Sequence, residues 1–85
     1  MANTEFFNDP VTVLGTIDEQ GQVNLQSLTW REQRYTIVAV GRQWSEEDGH
    51  HVLAEAADGT RLELLLSRQN LIWHVKKVWW AQLAA

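Results

Sequence analysis

Aromatic side chains interleaved with basic ones recur along this chain: Trp30-Arg31, Arg34-Tyr35, Arg42-x-Trp44, and Trp73 with Lys76, Lys77 and Trp79. A tryptophan face stacks on a base, a ring or a cation, and an adjacent cation adds charge, so the pattern suits a single-stranded nucleic acid or a protein hot spot. Trp79, Lys76, Lys77, Arg31, Trp30 and Arg42 are the candidate binding residues. The competing reading is that tryptophans in so small a domain form its core, with Arg and Lys stems lying across their edges. A second group, Ser45-Glu46-Glu47-Asp48-Gly49-His50-His51, holds side chains of the types used by metal sites and hydrolytic triads. Adjacent strand histidines point to opposite faces, whereas metal sites need converging ligands, so this stretch reads as a solvated polar loop and no metal is expected. Ser45, His50 and Asp48 share one loop without a strained nucleophile turn or an oxyanion motif. No Gly-rich phosphate loop and no carboxylate pair in an apolar setting can be argued, so the expectation is a non-enzyme without a cofactor.

The elements that must position these residues are short and β-rich. Eighty-five residues make one domain. The absence of cysteine points to a reducing, cytoplasmic compartment, and no apolar run approaches the roughly 18 residues of a membrane span. The N-terminus carries no basic, apolar leader pattern. The net charge of −4 is uneven: residues 1–60 hold three basic and ten acidic side chains, residues 61–85 four basic and one acidic. That balance argues against an extensive nucleic-acid footprint while leaving a local basic face near the end.

Residues 1–10 lack periodicity and are expected to be a flexible arm, with residues 11–83 forming a single β domain. VTVLGTI (11–17) predicts a strand closed by a turn at Gly21, and Val23 to Trp30 a second, ending at a tight connection over Arg31–Arg34. YTIVAVGRQW (35–44) has apolar residues in both phases, which predicts a long central strand buried on both sides, bending at Gly41. HVLAEAA and TRLELLLSR flank Asp58-Gly59 and predict a hairpin with a two-residue turn. Residues 71–83 admit two readings. Leu71, Val75, Val78 and Trp79 make a helical stripe, which would give an α+β fold with a C-terminal helix. The β-branched and aromatic content instead favours a strand. Strict alternation in that strand would put Lys77 among core residues; a bulge at Lys76-Lys77 removes the conflict, placing Trp73, Val75, Val78 and Trp80 inward and Trp79 outward. The expected fold is therefore mainly β, a curled antiparallel sheet or partly open barrel of about six strands.

Trp30-Arg31-Glu32-Gln33-Arg34-Tyr35, Trp44 nine residues beyond the tyrosine, and Trp73-x-Val75-x-x-Val78-Trp79 resemble a small bacterial domain family of unknown function. Its members carry W-R-G-R-x-Y, a second W, and a closing W-x-L-x-x-V-W. A related pattern is similar to the C-terminal region of inactive Y-family polymerase-like mutagenesis proteins. The resemblance spans residues 11–80 and departs from the pattern at Glu32, where glycine is usual. It implies a six-stranded domain and transfers no active residue.

Two functional classes follow as expectations. One is a small interaction module that binds another protein, or its own copy, through a tryptophan- and arginine-bearing face. The other is a weak single-stranded nucleic-acid binder accessory to DNA replication or repair.

Overall fold

The apolar runs form six strands in the computed structural model, which describes residues 4–81: β1 (Thr4–Ile17), β2 (Val23–Trp30), β3 (Gln33–Glu46), β4 (Gly49–Ala56), β5 (Arg61–Ser67) and β6 (Trp73–Trp79). Each pairs antiparallel with the next and β6 returns to β1, so an all-β barrel closes in sequence order. The helix weighed over residues 71–83 gives way to strand over Trp73–Trp79, where branched and aromatic side chains suit a pleated surface; residues 82 and 83 lie outside the described residues. Among the described residues no helix is long and apolar enough to cross a membrane. Thr4–Pro10, expected as part of a loose arm, is instead the first half of β1, with Thr4, Glu5 and Phe6 opposite Trp79, Val78 and Lys77. Its side chains are mostly exposed, with the alternation of half-buried residues beginning only at Phe7, and the partner that orders it is some seventy residues away.

β3 corrects the expectation of two-sided burial. Two irregularities against β4 leave Val38 unmatched and set Gly41-Arg42 opposite Leu53 alone. Each shifts the pleat by one residue, so Ile37, Val40 and Gln43 all turn inward while Val38 stays 59% exposed. The apolar residues in both phases therefore record a phase change, and the bend at Gly41 falls within it.

Where neighbouring strands part, side chains take over the pairing. β2 and β3 are in register only from Ser27↔Thr36 to Trp30↔Gln33. Beyond that, the Gln43 amide bridges the gap, its Oε1 accepting from Val23 N (3.0 Å) and its Nε2 donating to Val23 O (2.9 Å). At the far end of β2, Asp9 of β1 does the same: its Oδ2 accepts from Trp30 Nε1 (3.0 Å) and Arg31 Nε (2.9 Å). Those bonds, the Trp30 donor foremost, hold the Asp9 carboxyl below its usual range.

Turn chemistry explains the connections. Arg31 (φ 52) and Glu32 (φ 66) are both left-handed, the conformation of a two-residue hairpin that matches strand twist. The β4–β5 hairpin differs from expectation: it is a three-residue loop, Ala57-Asp58-Gly59, in which Gly59 alone takes positive φ (92) and donates to Ala56 O. The β1–β2 loop repeats that design at Gly21 (φ 81), which donates to Asp18 O.

Two outcomes follow for urea unfolding. Gln43→Leu strands the Val23 donor and acceptor and lowers stability by about 1–3 kcal/mol, whereas Glu32→Gly relieves a left-handed glutamate and raises it by about 1 kcal/mol.

Candidate functional site

The C-terminal strand is built around the bulge its sequence calls for. Glu63 pairs with Lys77 and Leu64 with Val75, leaving Lys76 unmatched. Val75 and Val78, three residues apart, are both fully buried, and Trp73 and Trp80 pack against the same core. Lys77 and Trp79 turn outward together. The Lys77 ammonium sits 4.8 Å from the Trp79 ring centroid and 5.0 Å from that of Phe6, a cation held between two aromatic faces. The sequence marks Phe6 as apolar but not as a partner of Lys77, since only the β1–β6 register makes the two neighbours. Trp79 also borders a cavity of about 840 Å³ lined by Ala39, Val40, Leu53, Leu62 and Trp80. Arg61 and Glu55 edge it, their Nε and Oε1 3.4 Å apart.

The six candidate residues do not make one face. Trp30 is only 2% exposed and belongs to the core, stacked on Trp80 with centroids 5.8 Å apart and edged by Phe7 at 4.9 Å. Its inward phase follows from a shift in β2, where Gln26 is unmatched between the pairs Leu14↔Ser27 and Gly15↔Leu25. Arg31 lies over the Phe7 and Trp30 rings and is paired with Asp9, Nη2 to Oδ2 at 2.9 Å. Arg42 lies 5.3 Å from the Trp44 ring, and Lys76 donates to Asn8 Oδ1 at 3.0 Å. Of the six, Lys77 and Trp79 are the pair that meets on the surface.

The acidic hairpin between β3 and β4 corrects the reading of a solvated loop. His50 and His51 do diverge, but His51 is 3% exposed, and its ring stacks on Trp44 at 5.1 Å and 10°. Its Nε2 faces Asp48 Oδ1 (2.8 Å) and Glu46 Oε2 (3.2 Å), and its Nδ1 faces Glu63 Oε2 (3.1 Å). The convergence that sequence spacing seemed to forbid comes from the hairpin folding back: ligand atoms of Glu46, Asp48 and His51 lie within 4.8 Å of one another. A neutral imidazole donates from one nitrogen only, so carboxylates on both sides favour the imidazolium. Burial works against that charge, but the hydrogen bonds to Asp48 and Glu63 and the charges of Asp48 and Glu46 outweigh it and raise the His51 pKa above 6.5. The same bond, with Lys76 contributing, lowers Asp48. The Ser45, His50 and Asp48 set is not assembled: Asp48 serves His51, while His50 Nδ1 is 3.4 Å from Ser45 Oγ and its Nε2 meets Gln43 Oε1 at 2.9 Å.

Comparison of the chain with protein families, curated proteins and solved structures gives no match. This surface offers an apolar hollow, a half-buried indole and a cation already lying over aromatic rings.

The His51 arrangement sets a pH dependence. A pKa raised on folding means its stabilisation is complete below the unfolded value near 6.5 and is lost as pH rises through the folded value. Urea unfolding of the native chain at pH 6 and pH 9 should show weaker folding at pH 9, and His51→Gln should flatten that difference.

Proposed function

We propose that this chain is a small non-enzymatic interaction module that binds another protein at the Trp79 cavity. The observation that carries the reading is a half-buried tryptophan at the rim of an apolar hollow, with Leu53 and Ala39 in its wall and the Arg61–Glu55 pair at its edge. This is the make-up of an interface anchor: an aromatic surface beside a pocket that takes one apolar side chain, with a polar rim. Charge placement supports a protein over a nucleic acid. Arg61, the one cation among the described residues that line the cavity, is engaged by Glu55, and away from the cavity Arg31 is engaged by Asp9 while Lys76 points to Asn8, so these three do not form an open basic groove. The feature that favours the second reading is the Phe6–Lys77–Trp79 stack, a platform of the kind that holds an unpaired base.

Selection of displayed peptides on the folded domain, followed by titration of the selected peptide, tests the reading. Peptides carrying a large apolar anchor are expected, and Trp79→Ala should weaken them about 30-fold, the loss of a hot spot of about 2 kcal/mol. A single-stranded oligonucleotide should leave the tryptophan fluorescence unchanged at low salt. Quenching that fades steeply as salt rises would instead establish the nucleic-acid reading.

A further inference from the structure

We propose that the free edge of β1 over Thr12–Ile17 is where a second copy of this chain docks, by antiparallel pairing of β1 with β1 across a two-fold axis. β1 serves two neighbours along its length: the part up to Val11 pairs with β6, and Thr12–Ile17 pairs with β2 on the opposite edge. β6 begins at Trp73, opposite Val11, and the chain before it turns away, with Leu71 at φ 60 and its N–H donated to Ser67 O. The edge of Thr12–Ile17 that faces away from β2 therefore has no backbone partner among the described residues.

An unpaired strand edge presents donors and acceptors in the one pattern that another strand matches, and proteins ordinarily guard such edges with charge, proline or a covering segment. TVLGTI has no charge and no proline. Leu14 and Ile17, which alternation puts on opposite faces of β1, are 54% and 55% exposed. Leu71 and Ile72, just before Trp73 in the chain, are 72% and 45% exposed as well.

Charge decides the occupant. Two copies of a chain with net charge −4 repel except where both surfaces are neutral, and Pro10–Ile17 and Gln69–Trp73 contain no charged residue. Antiparallel pairing centred between Leu14 and Gly15 sets Asp18 of one copy opposite Val11 of the other, so no acid faces an acid along the ladder. A basic peptide would find nothing along this edge to pair with its charge. Self-pairing uses the same surface on both copies, so it closes at two, and it joins β1–β2–β3 of each barrel into one continuous sheet. The edge is at the other end of β1 from Thr4, the partner of Trp79, and the inference does not rest on what the Trp79 cavity binds.

Sedimentation velocity of the full chain should give a species of about twice 9.8 kDa at high micromolar concentration that dissociates on dilution. Leu14→Lys, at an exposed position, should yield the monomer at the same concentration with an unchanged far-UV spectrum. Hydrogen exchange on the unmodified chain should show amides in 12–17 gaining protection as concentration rises, a readout independent of any variant. Trp79→Ala should leave the dimer intact. A chain monomeric throughout, a Leu14→Lys variant that still dimerises, or a dimer abolished by Trp79→Ala without concentration-dependent protection at 12–17 would each overturn the proposal.

Discussion

In this six-stranded barrel, inward-facing side chains change phase partway along several of the strands. A regular strand twists but bends little, and local bulges add twist and a sharper bend. β2, β3 and β6 each carry at least one. The core depends on them: Val75 with Val78 and Ile37 with Val40 are pairs three residues apart that both turn inward. Without the shift at Lys76, either an ammonium or a valine would stand on the wrong side of the wall. The bulge that completes the core is thus the same feature that presents Lys77 and Trp79 to the outside.

Curvature has a cost in backbone pairing, which the side chains repair. β2 cannot follow both β1 and β3 along its whole length, and buried amides left without partners would be expensive. Gln43 meets that need at Val23 with a donor and an acceptor in the geometry of a missing strand. Asp9 ties the opposite end of β2 through the Trp30 indole, which lets a tryptophan nitrogen sit in the core without an orphaned hydrogen bond. His51 is a third case, a buried ring satisfied on both sides by carboxylates of the β3–β4 hairpin and of β5. When protonated, it stabilises the hairpin and locally offsets the acidity of the first two-thirds of the chain.

Strand identity was legible because it depends on local composition. Branched runs bounded by Gly21, by Arg31–Arg34 and by Asp58-Gly59 become strands in the expected order, and the awkward phase of Lys77 announced its own bulge. The exact form of the Asp58-Gly59 turn was not legible, since a two-residue and a three-residue loop use the same dipeptide. The site was legible only in part. Trp79 and Lys77 could be named from one stretch, but Phe6, Leu53 and Ala39 join them through pairing between distant strands.

By itself, the sequence determined a mainly β domain with a tryptophan-rich closing segment, because β-branched periodicity and turn residues act over a few neighbours, while the pairing of that segment with β1 and β5 made it a strand. Tertiary structure decided which tryptophans are core, that His51 is enclosed by three carboxylates, and that the first residues of β1 are strand. Those outcomes turn on register and bulge position, which are settled only when strands far apart in the chain pair. A one-residue shift moves a side chain from one face to the other, and that shift separates Trp30 in the core from Trp79 at the surface.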